Sequence, residues 1–259
     1  MAGLTSKTPA ATYKDLLKIE NSNSGVDDTL RQVESGDGTG SALHIEKNSV
    51  RIKPTSNDTA LLDVQNKDGS TKFKVDVSNN LVYALGHKLN TQYVYFGIES
   101  VESSAFSTNH YPIPFMRSSV ASSTGFHLNS GTDPATSYTI SSTGDDIVNR
   151  LWYPMDDLTI ATATVWVGAD ASSGDTIRFH LMQYDIDVSN GSTGGDLSNG
   201  VVLADGADIT NSGYEQAYTQ DLTIQSADVS RGKAVFFTFK SDSTSSDYTI
   251  NAAVKYHLR

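Results

Sequence analysis

The chain of 259 residues contains no cysteine, so neither a disulfide framework nor a thiolate metal site is open to it. It is also poor in basic residues, with 19 Lys and Arg against 30 Asp and Glu and a formal net charge of −11. Proteins that wrap nucleic acid carry a basic stripe, whereas the basic residues of this chain are scattered. We therefore expect no nucleic-acid partner.

Long apolar runs are absent too. No stretch of the sequence is long and apolar enough to span a membrane, and residues 1–17 lack the apolar centre of a secretory signal peptide. We expect a chain that inserts into no membrane and is made and assembled in a cytoplasm. If it acts outside a cell, it leaves by lysis or by a dedicated route.

Sequence motifs of common enzyme classes are missing as well. The chain has no G-x-S-x-G, H-E-x-x-H or Walker sequence, and its glycine-rich stretch, residues 36–40, has no predicted strand before it or helix after it. The carboxylate pairs Asp145–Asp146 and Asp156–Asp157 are adjacent, so on a strand their side chains point to opposite faces. Glycan cleavage needs two carboxyl groups about 5–10 Å apart in one groove. We predict no enzymatic activity and no cofactor.

A metal site is not predicted either. The histidines show no spacing typical of metal ligands, and the acidic loop at residues 168–175 lacks the regular spacing of calcium-binding oxygens. His180 and His257 fall on predicted strands, opposite the more apolar face. The six histidines are His44, His87, His110, His127, His180 and His257.

The sequence does contain many polar turns and alternating apolar runs. Hydrophobic residues make up 37% of the chain and aromatic residues 9%. In the last run, Tyr248, Ile250 and Ala252 alternate with Thr249 and Asn251, as expected of a half-buried strand. The runs of this kind predict an all-β domain, a two-sheet sandwich of jelly-roll type. They cover residues 93–101, 110–115, 137–141, 158–169, 175–186, 221–226, 233–241 and 247–258.

Residues 61–85 have a different pattern, in which three very short predicted strands are separated by polar turns. Residues 66–69 and 78–80 contain Asp-Gly and Asn-Asn, which tolerate left-handed backbone angles and reverse the chain tightly. The apolar residues of the central strand, Phe73 and Val75, lie on one predicted face. A face this small is marginal in water, so we predict that further copies of the chain supply the missing core.

Several positions of this stretch follow a repeated pattern: Leu62, Val64, Gly69, Phe73, Val75, Asp76, Asn79 or Asn80, and Val82. The pattern resembles the small β repeat of bacteriophage tail fibres and related virion appendages. The resemblance implies a structural virion protein of a tailed phage, a homotrimeric fibre or appendage of the tail or capsid that contributes to host-surface attachment. Three weak sites held together would bind a repetitive surface far more tightly than one.

On this basis we divide the chain into three parts. Residues 1–40 resemble N-terminal segments of phage appendage proteins, so we predict that they attach the chain to other virion proteins; a flexible leader is the alternative. Within them, residues 27–33 are predicted to form a helical turn. Residues 41–91 form the predicted trimeric β shaft, and residues 92–259 form the predicted jelly-roll-like distal sandwich.

Four aromatic residues are the candidates for contact with a receptor glycan, because flat exposed rings stack on sugar faces. They are Tyr111, Trp152, Tyr153 and Trp166. The alternative for each is a place in the sandwich core or in a subunit interface. Two other functions stay open. A glycan-degrading depolymerase would release reducing sugar, and a carbohydrate-binding adhesin module would fold as a monomer and carry an export signal.

Overall fold

The computed structural model describes residues 16–21, 24–102, 108–116, 126–140, 144–243 and 247–259. The chain divides into two compact units, Met1–Leu89 and Asn90–Arg259. Strands dominate both units, which confirms the prediction of an all-β protein. In this described part of the chain, no helix has the length and apolar character needed to cross a membrane.

The first unit contains two antiparallel sheets of short strands. In each sheet the strands lie in chain order, so each strand pairs with its neighbours in sequence. The first sheet comprises β1 (Leu17–Ile19), β2 (Arg31–Ser35), β3 (Gly40–Ile45) and β4 (Val50–Ile52). The second sheet comprises β5 (Leu62–Gln65), β6 (Thr71–Asp76), β7 (Leu81–Ala84) and β8 (His87–Lys88).

The three strands predicted in residues 61–85 are present as β5, β6 and β7. A hydrogen bond from Gly69 N to Asn66 O, 3.1 Å long, closes the turn between β5 and β6, and Gly69 has a φ of 81°. Asn80, between β6 and β7, has a φ of 56°. Glycine and asparagine tolerate this left-handed region best, so the turn chemistry predicted at both reversals is confirmed.

Three expectations for the N-terminal part are wrong. Residues 27–33 form no helical turn, because β2 begins at Arg31. A strand does lead into the glycine-rich stretch, since β2 ends at Ser35. The predicted boundary after residue 40 falls inside a sheet, because β2 and β3 pair across it. Acidic residues favour a helix start only weakly, whereas pairing with β1 and β3 satisfies the backbone groups of β2.

The described residues of the first unit bury very little apolar side chain within one chain. Val33 is the buried hydrophobic residue among them, and Asp76 is the buried charged one. Asp76 is satisfied locally, since its carboxylate accepts hydrogen bonds from the backbone and side-chain amides of Asn79. Large apolar side chains instead lie exposed, and those on strands include Leu17, Leu43, Val50, Ile52 and Val64. Small sheets with an uncovered apolar face are marginal in water.

The second unit is a sandwich of two antiparallel sheets. The strands are β9 (Thr91–Glu102), β10 (Tyr111–Pro112), β11 (Leu158–Ala169), β12 (Thr176–Ile186), β13 (Leu197–Asp205), β14 (Ile209–Thr210), β15 (Gln216–Asp221), β16 (Thr223–Ile224), β17 (Asp228–Val229), β18 (Ala234–Ser241) and β19 (Asp247–Leu258). The front sheet has the strand order β15–β11–β19–β9, with β17 also paired to β11. The back sheet has the order β10–β18–β12–β13–β16, with β14 also paired to β12. One short helix, α1 (Gly144–Val148), precedes β11.

The path of the chain through this sandwich is that of a jelly roll. It runs from β9 in the front sheet to β10 in the back sheet and returns to the front sheet with β11. Two back-sheet strands follow, β12 and β13, before β15, β18 and β19 alternate between the sheets. Eight strands that alternate in this way form the two Greek keys of a jelly roll. The predicted sandwich fold is therefore confirmed.

The main core lies between the two sheets. It is built by alternate residues of each strand, and Phe96, Val165 and Phe237 show the pattern with 1%, 0% and 0% of their surface exposed. The terminal strand β19 contributes Tyr248, Ile250, Ala252 and Val254 from the face predicted by its alternation. Because β19 pairs with β11 on one side and β9 on the other, it is an internal strand.

The back sheet also buries its outer face. Phe236 on β18 and Tyr184 on β12 point away from the main core and pack in a second cluster with Phe126 and Leu128. Residues 126–128 therefore cover this face of the sheet. Strand β18 is buried on both faces, which explains why it reads as a nearly continuous apolar run rather than as a strict alternation.

Candidate binding surfaces

Two of the four aromatic candidates belong to the core. Tyr111 on β10 is 5% exposed, and Trp152 is 7% exposed and packs against Phe96 and Tyr256. Backbone hydrogen bonds between Trp152 and Val235 tie the tryptophan to the back sheet. For Tyr111 and Trp152 the core alternative is the one that the structure shows, so neither ring is an exposed platform for a sugar.

Tyr153 has the opposite surroundings. Its side chain is 39% exposed, and it lines a groove of about 250 Å³ with Met155, Asp156 and Tyr256. Burial raises the pKa of Tyr256, whose hydroxyl donates a 2.8 Å hydrogen bond to Gln92 Oε1. The groove therefore combines one open aromatic ring with polar groups on its wall. Tyr153 remains a candidate for sugar contact.

Trp166 lies on the outward face of the front sheet and is 49% exposed. It shares this face with Tyr95, which is 58% exposed. Trp166 on β11 and Tyr95 on β9 lie on either side of the central strand β19. The residues between them are small or polar: Asn251 is the register partner of Trp166, and Ala253 is that of Tyr95. Two large exposed rings therefore lie on either side of these smaller residues.

Met116 closes one side of this surface. It is 71% exposed, its backbone nitrogen donates to Tyr95 O at 2.9 Å, and it helps line a depression of about 410 Å³ with Trp166 and Asn251. Met116 also has a φ of 60°, a left-handed conformation that residues other than glycine and asparagine seldom adopt. We call Tyr95, Met116 and Trp166 the aromatic patch. Exposed apolar groups that lie together mark an interaction site more often than scattered ones do.

Charged residues lie around the aromatic patch. Lys255 is the register partner of Tyr93, a further exposed aromatic residue on β9, and Asp221 is the partner of Thr164. Asp221 also accepts a hydrogen bond from Thr164 Oγ1. An apolar centre with a charged rim is the usual anatomy of a protein interface.

Tyr95 and Met116 were not among the candidates from sequence. The signal for Tyr95 was present, since Tyr93 and Tyr95 alternate with Val94 and Phe96 along one strand. Alternation separates two faces but does not say which of them is covered. No sequence signal places Met116 next to Tyr95, because the contact depends on how the segment after β10 returns to β9.

The carboxylate pairs have structural partners. Asp146 forms an ion pair with Arg150 at 3.8 Å within the α1 region, and Asp157 accepts a 2.9 Å hydrogen bond from the backbone nitrogen of Arg231. The first contact lies within one segment, and the second joins the residues before β11 to those before β18.

Comparison with known proteins gives little further information. No family model matches the chain, and no curated protein sequence does. One solved structure with similarity comprises the CBM22-1 and GH10 modules of endo-1,4-β-D-xylanase 10B from Clostridium thermocellum, complexed with xylohexaose. It is 14% identical over 42% of this chain and 18% of that chain, with a TM-score of 0.23. Another is infectious bursal disease virus, Gx strain, 9% identical over 98% of this chain and 48% of that chain, with a TM-score of 0.27.

The chain thus spans less than half the length of either structure. At these TM-scores neither similarity carries an argument about function.

Proposed function

We propose that the protein is a structural subunit of a tailed-phage virion, a homotrimeric fibre or appendage that contributes to host attachment. The observation that carries this proposal is the nearly absent single-chain core of the first unit. Among its described residues, Val33 is the buried hydrophobic one, while Leu43, Val50 and Ile52 are exposed on paired strands. Association of identical chains would cover these side chains, and cyclic symmetry would do so equally for each copy.

The repeat-like pattern of β5 to β7 supports the same proposal. These short strands, with left-handed turns at Gly69 and Asn80, form a small sheet. The sheet gives each chain one small apolar face. Three such faces can form one core where a single face cannot. The number three comes from the resemblance to fibre repeats, and the need for association comes from the exposure.

The aromatic patch is the second surface that we assign to the subunit interface. The front sheet presents two exposed rings, Tyr95 and Trp166, on either side of a shallow depression. Aromatic residues are enriched at the centres of interfaces because they bury a large area for few rotatable bonds. Sugar binding at the same rings is the second candidate, since exposed aromatic rings also stack on sugars.

The groove at Tyr153 is the site that we assign to host contact. A single weak site of this kind becomes effective when three copies act together on a repetitive surface. The role is passive, so no bond in the receptor is broken.

Size-exclusion chromatography with light scattering tests the assembly. We expect the full chain to have a mass about three times the 27.8 kDa of one chain. A monomer at micromolar concentration would contradict the trimer, and sugar binding by that monomer would favour the adhesin alternative.

Antibody raised against residues 92–259 should label the fibres of intact particles. Reducing sugar released from host polysaccharide would replace the proposal with a depolymerase.

A further inference from the structure

A buried histidine lies between two carboxylates on the back sheet of the second unit. His180 Nε2 on β12 is 3.3 Å from Asp133 Oδ1 and 3.2 Å from Asp205 Oδ1. Asp205 ends β13, whereas Asp133 comes from the segment that follows the second-cluster residue Leu128. We call Asp133, His180 and Asp205 the Asp–His cluster. It is separate from the aromatic patch and from the Tyr153 groove, which share none of its residues.

The three facing atoms have the arrangement of metal ligands. In the described residues, Asp133, His180 and Asp205 are a group whose ligand atoms all lie within 4.8 Å of one another. Zinc takes imidazole nitrogen and carboxylate oxygen at about 2.0–2.2 Å, which puts neighbouring ligands of a tetrahedral ion roughly 3.3–3.5 Å apart. The two measured nitrogen-to-oxygen distances of 3.3 and 3.2 Å are close to that separation.

The burial of these residues is uneven in a way that suits ion entry. His180 is wholly buried, while the side chains of Asp205 and Asp133 are 26% and 57% exposed. An ion held on this face of the sheet would therefore have protein on one side and water on the other. Water can then complete the coordination that three protein ligands leave open.

Neighbouring groups hold the carboxylates in place. Arg178 Nη2 donates to both oxygens of Asp205 at 3.0 Å, and its Nη1 donates to Asp208 Oδ1 at 3.2 Å. Lys240 Nζ donates to Gly131 O at 2.7 Å, which fixes the chain close to Asp133. Hydrogen bonds from outside the ligand set orient ligands in metal sites and tune their basicity.

The imidazole of His180 turns its Nε2 towards the two carboxylates, whose oxygens are hydrogen-bond acceptors for a proton on that nitrogen. Its Nδ1 is buried without a hydrogen-bond partner among the described residues. A metal ion bound at Nε2 would take the place of that proton, which would then be carried by Nδ1. The ring of His110 lies edge-on to the ring of His180 with a centroid separation of 4.9 Å. His110 Nε2 is hydrogen-bonded to Gly131 O at 3.0 Å.

From this geometry we propose that Asp133, His180 and Asp205 form a binding site for a divalent transition-metal ion, with Zn²⁺ as its representative. The site has a structural role. It joins the segment carrying Asp133 to strands β12 and β13, and so holds residues 126–128 over the second hydrophobic cluster. Metal binding to a site that exists only in the folded state stabilises that state.

The test measures Zn²⁺ binding and thermal stability of the full chain. After treatment with chelator and buffer exchange, Zn²⁺ is titrated by calorimetry at neutral pH, and Tm is recorded with and without it. We expect one ion per chain and a Tm increase of roughly 5 °C at an ion concentration about 100-fold above Kd. Co²⁺ should give the strong visible absorption of a tetrahedral site.

One Asp→Asn variant tests a proposed ligand, and a second serves as its control. Asp133→Asn, at a largely exposed position, should weaken Zn²⁺ binding at least tenfold and remove the Tm increase. The matched control is Asp208→Asn, which loses a partner of Arg178 but no proposed ligand, and its affinity should stay within threefold of the parent. Absence of saturable binding, or equal binding by the parent and Asp133→Asn, would show that the cluster is a hydrogen-bonded group only.

Discussion

The indole of Trp152 packs against the ring of Tyr256 with a centroid separation of 5.1 Å and an angle of 49° between the ring planes. Trp152 is thereby buried between the sheets, while the next residue, Tyr153, faces solvent. Two consecutive aromatic residues thus have different surroundings. Substitution of one should affect stability, and substitution of the other should affect binding.

Trp152→Ala should destabilise the second unit by about 3–5 kcal/mol, because it removes a large buried side chain and leaves a cavity. Tyr153→Ala, at a half-exposed position, should change stability by roughly half a kcal/mol or less. Chemical denaturation of both variants beside the parent measures the difference. Similar free energies of unfolding for the two variants would mean that Trp152 contributes no core packing.

Tyr153→Ala should instead weaken attachment to host cells while the oligomer stays intact. Each copy loses one ring contact, and because all copies act in the same bound state, the loss is multiplied. Cell-binding assays compared with Tyr214→Ala, which removes an exposed tyrosine outside the groove, measure the effect. Unchanged attachment of Tyr153→Ala would place the receptor site elsewhere on the surface.

Trp166→Asp and Tyr95→Asp should reduce the oligomer mass, because each puts a charge at the centre of the proposed apolar interface, where it would be desolvated without a partner. The fold of the single chain should survive, since both side chains point outwards from the front sheet. Light scattering with circular dichroism separates the two effects. Tyr214→Asp is the control and should leave the mass unchanged. An intact oligomer in both patch variants would exclude this surface from the interface.

Phe237→Asp should be far more damaging than Lys240→Asp, although both positions lie on β18. Phe237 is wholly buried in the main core, so the change buries a charge and leaves a cavity, costing several kcal/mol, on the order of 4. Lys240 is partly exposed, and its ammonium donates to the carbonyls of Ser130 and Gly131, so its loss should cost about 1 kcal/mol. Thermal unfolding ranks the two variants. Equal shifts in Tm would contradict the assigned faces.

Acidification should weaken the first sheet through Asp27. Hydrogen bonds from Arg31 and from the backbone nitrogen of Thr29 lower the pKa of Asp27 from 3.8 to about 2. Because the folded pKa is the lower one, the stabilisation is complete above the unfolded value of 3.8 and is lost as pH falls towards about 2. Asp27→Asn should therefore lose less stability than the parent between pH 5 and pH 2.5. Calorimetric scans of both proteins at the two pH values measure the loss of stability. Equal losses for the parent and for Asp27→Asn would contradict the role assigned to Asp27.

The β architecture could be predicted from sequence because alternation and turn chemistry are local. The alternation of Tyr248, Ile250 and Ala252 is enough to predict a strand and its two faces, since side chains of a strand alternate wherever it lies. Gly69 and Asn80 mark chain reversals because their own backbone preferences require nothing from elsewhere in the fold. The long alternating strands and the turns of the repeat were predictable in this way. Strands β13 and β15 were not among the predicted runs, and the predicted run at residues 137–141 contributes an isolated bridge at Tyr138 in place of a strand.

The surroundings of individual side chains depended on tertiary structure. Tyr111, Trp152, Tyr153 and Trp166 looked equivalent as a sequence pattern, and only sheet packing buried the first two and exposed the others. The Asp–His cluster had no sequence signal, because Asp133 and His180 are 47 positions apart and come together only when the covering segment packs on the back sheet. Local propensity is set within a few residues, whereas burial and long-range proximity are set by which elements pack together.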